Sequence, residues 1–257
     1  MAERPPAPPS GAIPDRPGLS VVVPVHNEAA TIERALADML HAIERQGVPF
    51  EILVCENGSR DGSRAIVERV AAADGRFRVE TLPIGDYGLA LRYGIRMAVY
   101  DKVVIFNADY WSAEFLDTAL AGLAAHDMVI GSKVMGRDRR PLVRRLITRG
   151  LNWVLRVSFG FGGTDTHGMK AFKRATGAAL AAECVSQGSM FDTELVLRAE
   201  RRGVRILEKP VDTEEIRQPS YAHIVKRVPE MLTNFERMRR GLRTVERRPA
   251  RIPVEHL

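Results

Sequence analysis

Cysteine is scarce in this chain, and the two that are present, Cys55 and Cys184, have no metal-type spacing. Both lie in apolar surroundings, so the sequence argues against a disulfide framework and predicts two small, buried hydrophobic side chains. Such cysteine usage is typical of proteins in a reducing compartment. We therefore expect a cytoplasmic location.

Long apolar runs are also absent from the sequence. No stretch approaches the roughly 18 apolar residues of a membrane span, and six prolines occupy the first seventeen residues in place of an apolar signal core. We expect residues 1–18 to form a disordered, proline-rich tail. The 257 residues, 45% of them apolar and 27% charged, are enough for one large α/β domain with a sizeable core.

Positive charge is concentrated in two stretches of the chain. Residues 133–156 contain eight Lys or Arg and one Asp, and residues 219–257 contain nine Lys or Arg and four Glu. Since the net charge of the whole chain is +6, the remainder is acidic. A basic surface can bind the phosphates of a nucleotide, a lipid head group or nucleic acid, or can be a solvated helix face. We expect no nucleic acid partner, because Trp153 is the only aromatic residue among the arginines of the first stretch, 133–156.

Strand-type and helix-type patterns alternate along the first half of the chain. Apolar runs predict strands at 19–25, 51–55, 77–82 and from 103 onward, and spacings of three and four predict helices at 32–43, 66–70, 91–98 and 115–123. Alternation with short loops predicts an α/β fold, in which a mostly parallel sheet has helices on both faces.

Asp109 follows the apolar run that begins at Val103 and stands two residues after Asn107. Ligands collect at the carboxyl ends of parallel strands, so we interpret Asp109 as a site residue. Considered alone, the alternative that Asp109 or Ser112 caps the next helix is the stronger interpretation.

Four short segments, taken in order, resemble the motifs of family 2 glycosyltransferases. They are Val22–Ala29, Glu51–Ser63, Gly88–Gly94, and Asn107-Ala108-Asp109 in the place of Asp-x-Asp. Any one of them is a weak signal, whereas four in order over about ninety residues are specific. The resemblance implies the GT-A fold, which is a Rossmann-like, mixed but mostly parallel sheet flanked by helices, with further C-terminal helices. It also implies a nucleotide-sugar donor.

The second half of the chain is similar to dolichol- or polyprenyl-phosphate mannose synthases. The similar segments are 131–133, 144–152, 164–174, 190–195 and 205–211. The resemblance covers about residues 19–211, and we place the glycosyltransferase domain at 19–218. It implies transfer of a hexose to a polyprenyl phosphate, with inversion and with the acceptor phosphate as the nucleophile.

The resemblance also implies the residues of the site. The donor residues are Pro24, His26, Asn27, Glu28, Glu56, Asn57, Ser59, Asp61, Gly88, Arg92, Asn107, Ala108 and Asp109. The catalytic and acceptor residues are Asp109, Asp165, Lys133, Arg144 and Arg149. Arginine suits the binding of an acceptor phosphate, because its guanidinium group binds a phosphate bidentately. Asp61 as a helix cap and Asp165 as an ordinary loop residue are the structural alternatives.

The departure from Asp-x-Asp weakens the expected metal site. Two acids at i and i+2 could share Mg²⁺ or Mn²⁺ with the donor phosphates, but Asn107 leaves one neutral carbonyl ligand beside Asp109. Trp111 stands where the similar enzymes often supply a polar third ligand. Metal dependence is therefore an open question. The same departure keeps two alternatives open, which are a soluble acceptor and a non-catalytic binding or scaffold protein of this fold.

Residues 219–257 resemble the family least. Apolar residues recur there at spacings of three and four with Lys and Arg between them, namely Val225, Val228, Met231, Leu232, Phe235, Met238 and Leu242. The pattern predicts a basic amphipathic helix. Such a helix either lies on an anionic membrane, as in a peripheral protein on the inner face of the plasma membrane, or packs on the catalytic domain. Pro229 interrupts the pattern, which makes packing at least as strong a prediction.

Overall fold

The computed structural model describes residues 16–137, 139, 141–212 and 233–242, without the side chain of Arg144. Strands and helices alternate in the first half, as predicted. The elements are β1 (Arg16–Val25), α1 (Ile32–Glu44), β2 (Phe50–Asn57), α2 (Ser63–Ala73), β3 (Phe77–Leu82), α3 (Tyr87–Met97), β4 (Tyr100–Ile105), α4 (Ala113–Gly122), β5 (Met128–Ser132), α5 (Leu142–Phe159), β6 (Lys170–Lys173), α6 (Arg174–Glu183), α7 (Met190–Arg201) and β7 (Ile206–Pro210). Residues 233–242 form a further helical segment.

The strands form a seven-stranded sheet in the order β3-β2-β1-β4-β6-β5-β7. β6 is antiparallel to both of its neighbours, β4 and β5, and the other neighbouring pairs are parallel. The predicted α/β fold with a mixed, mostly parallel sheet and flanking helices is therefore confirmed.

Helices cover both faces of the sheet and create two cores. Successive residues of a strand point to opposite faces, so Val21 and Val23 of β1 lie in one core while Val22 lies in the other. Val104 and Val103 of β4 divide in the same way. Central strands that are buried on both faces need apolar residues throughout. This double burial explains the continuous apolar runs in the sequence.

β1 begins at Arg16, before the predicted start at Leu19. The backbone N–H of Gly18 donates to Asp101 Oδ1 at 2.8 Å, and that of Leu19 donates to the Pro49 carbonyl at 2.9 Å. These bonds draw the last residues of the predicted 1–18 tail into the sheet. Residues 1–15 lie outside the described residues.

Gly94 allows α3 to lie close to the sheet. A methyl group at Gly94 would be 2.8 Å from Cys55 Sγ, which is less than a van der Waals contact allows. Cys55 and Cys184 are buried free thiols, as predicted. Burial raises the pKa of both thiols, so each packs as a small neutral side chain.

The helical segment 233–242 packs on the domain. Met238 and Leu242 are buried, and the ring of Phe235 meets that of Phe159 edge-on at a centroid distance of 4.8 Å. Of the two predicted arrangements of the basic helix, packing on the domain is therefore the one observed for residues 233–242. The rest of the predicted region, including the boundary at 218, lies outside the described residues. Within the described ranges, no helix combines the length and the apolar character that a membrane span requires.

Candidate active site

A cavity of about 540 Å³ lies at the carboxyl ends of β1, β2 and β4. Open α/β sheets bind their ligands at this edge. The lining residues are Pro24, His26, Glu28, Asn57, Gly85, Asp86, Tyr87, Asn107, Ala108, Asp109, His167, Gln187, Gly188, Ser189, Met190, Asp192 and Asn234. The structure thus brings together Pro24, His26, Glu28, Asn57, Asn107, Ala108 and Asp109 from the predicted donor residues.

Asn27 ties together the loops that follow β1 and β2. Its φ of +56° lies in the left-handed region, which asparagine adopts more readily than most residues. Its backbone N–H donates to Ser59 Oγ at 3.0 Å, and its Oδ1 accepts from the backbone N–H of Arg60 at 2.8 Å. Asn27 therefore supports the cavity wall from behind, while its neighbours His26 and Glu28 line the wall.

Glu56 and Asp61 shape the loop after β2. Buried Glu56 accepts from the backbone N–H of Ser59 at 2.6 Å. Asp61 accepts from the backbone N–H groups of Ala29 and Ser63, each at 3.0 Å, and from the Ser63 hydroxyl. These hydrogen bonds lower the pKa of Asp61, and the bond from the Ser63 hydroxyl has the largest effect. Asp61 thus supports the start of α2, and a nucleotide contact of Glu56, Ser59 or Asp61 stays a prediction.

Asn107 and Asp109 lie in a turn beyond β4, because the strand ends at Ile105. Asn107 and Tyr110 exchange two backbone hydrogen bonds, each 3.1 Å long. The turn places Asn107 and Asp109 on the cavity wall. The side-chain oxygen of Asn107 is buried and accepts no hydrogen bond within the described part of the chain. A buried acceptor in this state is available to a water molecule, an ion or a ligand.

The oxygen atoms at this turn fit a hard divalent cation. Asp109 offers a carboxylate and Asn107 an amide oxygen, which are ligand types of Mg²⁺ and Mn²⁺. No three His, Cys, Asp or Glu side chains form a metal-binding group in the ranges that the structure describes. A cation at this turn therefore needs substrate phosphates to complete its ligands. Trp111, at the position where the similar enzymes often supply a polar third ligand, packs on Phe106, with ring centroids 6.0 Å apart.

The cavity wall is acidic. Glu28, Asp86, Asp109 and Asp192 contribute carboxylates, and no Lys or Arg is among the described lining residues. The backbone N–H groups of Leu89 and Gly188 donate to Asp86 Oδ1 and neutralise part of this charge. A nucleoside diphosphate carries negative charge of its own, so the carboxylates of this wall oppose its binding to the extent that cations do not compensate them.

Lys170 forms a buried ion pair with Asp192 beside the cavity. Lys170 Nζ lies 3.0 Å from Asp192 Oδ1, and the Tyr87 hydroxyl donates to Asp192 Oδ2 at 3.1 Å. Burial, and then the charge of Asp192, raise the pKa of Tyr87. Burial lowers the pKa of His167. Tyr87 and His167 therefore present a neutral phenol and a neutral imidazole to the cavity.

Asp165 holds Lys133 and His167 together. Its Oδ2 accepts from the backbone N–H of Lys133 at 3.1 Å, and its Oδ1 accepts from that of His167 at 2.8 Å. Lys133 Nζ donates to the His167 carbonyl at 2.9 Å and lies 5.0 Å from the centroid of the Tyr110 ring. Asp165 is buried and is not a lining residue. Its link to the cavity is the hydrogen bond from the lining residue His167, and a catalytic role of Asp165 stays a prediction.

α5 carries the two arginines predicted to bind the acceptor. Arg149 is exposed, whereas the side chain of Arg144 lies outside the described residues. The helix is fixed to the site by Asn152, whose Nδ2 donates to the Thr164 carbonyl at 2.6 Å, next to Asp165. Contact of either arginine with an acceptor phosphate stays a prediction.

Gly88 and Arg92 make packing contacts and are not among the lining residues of the cavity, so their contact with a donor stays a prediction. A methyl group at Gly88 would lie 2.9 Å from Phe191 Cβ. The guanidinium group of Arg92 donates to the carbonyls of Cys184 and Ser186, at 2.8 and 3.2 Å, and stacks over the Phe191 ring. Arg92 thus holds the segment before α7 in place, because two main-chain carbonyls engage its donors.

The sequence patterns did not identify the opposite wall of the cavity, which residues 187–190, Asp192 and Asn234 form. Asn234 is buried and falls beside Phe235 on the apolar face of the predicted C-terminal helix. A polar residue on an apolar face needs a partner when it is buried. The position of Asn234 on that face was therefore the feature of the sequence that could have indicated a buried side chain with a hydrogen-bond partner.

Comparison with known proteins identifies relatives of this sequence. The family model described as Glycosyl transferase family 2 matches residues 20–181. Glycosyltransferase AglD of Haloferax volcanii is 32% identical over 208 residues, which cover 76% of this chain and 33% of the relative. An undecaprenyl-phosphate 4-deoxy-4-formamido-L-arabinose transferase of Pectobacterium carotovorum is 28% identical over 165 residues, covering 63% of this chain and 50% of the relative. The chain thus spans a third to a half of these curated relatives.

The fold is similar to that of a solved enzyme. The crystal structure of glucosyl-3-phosphoglycerate synthase from Mycobacterium tuberculosis, in complex with Mn²⁺, uridine diphosphate and phosphoglyceric acid, matches with a TM-score of 0.66. The match covers 87% of this chain and 78% of that chain at 21% sequence identity. At this identity the likeness establishes the fold alone. The expected GT-A fold is confirmed.

Proposed function

This chain belongs to glycosyl transferase family 2, and from that premise we propose that it transfers a hexose from a nucleotide-diphosphate sugar to a polyprenyl phosphate. The observation that carries the donor half is the turn after β4, which presents the Asp109 carboxylate and the unsatisfied amide oxygen of Asn107 to the cavity. In this proposal the donor diphosphate lies against that turn, with its nucleoside toward the loops after β1 and β2.

The acidic wall supports a divalent cation for this chain. Asp109 and Asn107 would hold it together with the donor phosphates. A bound Mg²⁺ or Mn²⁺ would stabilise the negative charge that develops on the leaving diphosphate. The solved synthase contains Mn²⁺ and uridine diphosphate, which supports the same requirement here.

The acceptor half rests on the basic residues. A phosphate monoester has a second pKa of about 6, so it is largely ionised near neutral pH and needs no protein base. Lys133, Arg144 and Arg149 bind and align it, and alignment is itself a large part of catalysis. The Pectobacterium relative is named for an undecaprenyl phosphate, which supports a polyprenyl phosphate as the acceptor. That this acceptor is met at the cytoplasmic face of a membrane is part of the same proposal.

Transfer makes one bond and breaks another. An oxygen of the acceptor phosphate attacks the anomeric carbon, while the bond from that carbon to the diphosphate breaks and the electron pair leaves with the nucleoside diphosphate. Attack opposite the leaving group inverts the anomeric configuration. Asp165 is a positioning residue, since it fixes the backbone of Lys133 and His167.

A donor and acceptor screen tests the proposal. Purified protein is incubated with nucleotide-sugars and either undecaprenyl phosphate or phosphoglyceric acid, with and without Mn²⁺. We expect a glycosylated lipid, and a loss of about 100-fold or more in Asp109→Ala. Arg149→Gln should lower lipid transfer but leave nucleoside diphosphate binding unchanged, and Arg240→Gln, on the 233–242 segment, serves as its control.

Three results would count against the proposal. Product on the soluble acceptor alone would refute the lipid half, and lipid transfer by Arg149→Gln at the wild-type rate would refute the role of Arg149. Absence of binding to UDP, GDP and dTDP in calorimetry would refute the donor half.

A further inference from the structure

α5 exposes an apolar surface on one side. The residues of this surface, here named the α5 stripe, are Leu142, Val143, Leu146, Ile147, Trp153, Val154 and Val157. Leu142, Leu146, Trp153 and Val157 are 71%, 62%, 65% and 69% exposed, respectively. At 3.6 residues per turn these seven positions fall on one continuous side of the helix. Such a patch marks an interaction surface.

The stripe is not the result of a poorly packed helix. The opposite side of α5 is buried through Leu155 and Phe159, and Asn152 anchors it to the Thr164 carbonyl. Arg156 donates to the Gly163 carbonyl at 3.2 Å. α5 is thus fixed to the domain along one side, and its apolar side faces outward.

Arginines border the stripe. Arg145, Arg149 and Arg156 recur at i, i+4 and i+11, so they lie in a row along one margin, and α5 contains no Asp or Glu. Trp and long apolar side chains bordered by arginines are the composition of helices that lie in a bilayer interface, with their cationic groups at the level of the phosphates. An anionic lipid surface complements both the apolar stripe and the basic row.

We propose that the α5 stripe docks the protein on an anionic phospholipid bilayer, with Leu142, Leu146, Trp153 and Val157 in the interface. The inference deepens the proposed function and rests on it for the acceptor, because a lipid phosphate must be met at the membrane. α5 connects to the catalytic cavity through Thr164 and Asp165, so docking holds the acceptor side of the site against the bilayer.

A second copy of the chain fits this surface less well. If α5 packed against α5 of a second copy, the two stripes would be buried together, but the two arginine rows would also approach. α5 has no carboxylate to pair with them. Like charges that are brought together destabilise an interface.

Vesicle sedimentation tests the docking surface without donor or acceptor. Wild-type protein is mixed with vesicles of phosphatidylcholine, alone or with about 30% phosphatidylglycerol. We expect binding to the anionic vesicles, and a decrease of about tenfold or more in Leu146→Glu/Val157→Glu. Val48→Glu and Ser158→Glu are the matched controls, one at an exposed apolar residue elsewhere and one on α5 outside the stripe. They should bind vesicles as wild type does.

Tryptophan fluorescence gives a second readout. The chain has two tryptophans, so Trp111→Phe leaves Trp153 as the single reporter. Its emission should shift to shorter wavelength with anionic vesicles, because the indole leaves water for the interface.

The outcomes separate this inference from the proposed function. Loss of vesicle binding in Leu146→Glu/Val157→Glu, with nucleoside diphosphate binding retained, supports the docking surface. Vesicle binding by wild type without any nucleotide binding would refute the donor site but support the surface. Equal binding by variant and wild type would overturn it. A failure of the wild type to bind anionic vesicles would also overturn the docking surface. So would a wild-type protein that does not bind vesicles and forms a dimer, if Leu146→Glu/Val157→Glu dissociates that dimer.

Discussion

The side-chain amide of Asn234 binds both backbone groups of Gln187. Asn234 Oδ1 accepts from the Gln187 N–H at 3.2 Å, and Asn234 Nδ2 donates to the Gln187 carbonyl at 3.3 Å. Both residues line the cavity. The segment 233–242 therefore helps to position a loop of the active site, although 47 residues separate Asn234 from Gln187 along the chain.

Asn234→Leu should weaken donor binding about three- to tenfold, because the backbone groups of Gln187 lose their partners. The same loss should lower the free energy of unfolding by about 1–3 kcal/mol. Calorimetric titration with a nucleoside diphosphate and denaturant unfolding measure the two effects. Arg240→Ala, an exposed change on the same segment, should leave both unchanged. Wild-type affinity in a destabilised Asn234→Leu protein would show that the amide does not position the loop.

Asn107→Asp should strengthen cation dependence, because a second carboxylate raises the charge at the turn after β4. The Mn²⁺ concentration for half-maximal donor turnover should fall about tenfold relative to wild type. Asp109→Asn leaves two neutral oxygens and should need far more Mn²⁺ or be inactive. Titration of chelator-treated protein with Mn²⁺ compares the three proteins. Identical titration curves would rule out a cation at this turn.

Lys170→Met should destabilise the protein by about 3–5 kcal/mol, since it leaves the buried Asp192 carboxylate without its cation. Lys170→Met/Asp192→Asn should recover part of this loss, because no uncompensated charge remains. Denaturant unfolding of the single and double variants gives the coupling free energy. Arg64→Met removes an exposed pair with Glu68 and should leave the free energy of unfolding nearly unchanged, because solvent screens exposed ion pairs. Additive losses for Lys170 and Asp192 would contradict direct coupling.

Local patterns predicted the strands that lie next to the site. β1, β2 and β4 are buried on both faces, so each appears as an apolar run whatever its neighbours are. The antiparallel insertion of β6 could not be predicted in this way, because it pairs Ile105 with Lys170, far along the chain. Lys170 is itself a charged residue in a buried strand, and its ion pair with Asp192 on α7, together with its hydrogen bond to the Gly168 carbonyl, makes that position tolerable.

The candidate site likewise contains residues that local patterns predicted and residues that depend on distant parts of the chain. Asp109 was predictable because its position depends on the strand that precedes it. Arg92 matched a donor motif, but its role depends on the carbonyls of Cys184 and Ser186, which only the folded chain brings near. The amphipathic pattern favoured packing of the helix that carries Asn234, but no local pattern specifies its partner, Gln187, which lies far away along the chain.

Glu200 makes stability depend on pH. Its carboxylate accepts from the backbone N–H groups of Gly163 at 2.9 Å and Gly162 at 3.2 Å, yet burial raises its pKa from 4.5 to about 7. Between these values the folded protein binds more protons than the unfolded chain. The contribution of Glu200 to stability therefore falls as the pH rises from about 4.5 to about 7.

Glu200→Gln should remove this pH dependence, because glutamine keeps an acceptor oxygen for Gly162 and Gly163 but carries no charge. The variant should gain about 1–3 kcal/mol in unfolding free energy relative to wild type between pH 5 and pH 8, and the gain should grow with pH until it levels off above about pH 7. Denaturant unfolding at several pH values measures this difference. Glu236→Gln changes a carboxylate that pairs with Arg240 at the surface and should show no such trend. A constant difference between Glu200→Gln and wild type from pH 5 to pH 8 would mean that Glu200 titrates at its ordinary pKa in the folded protein.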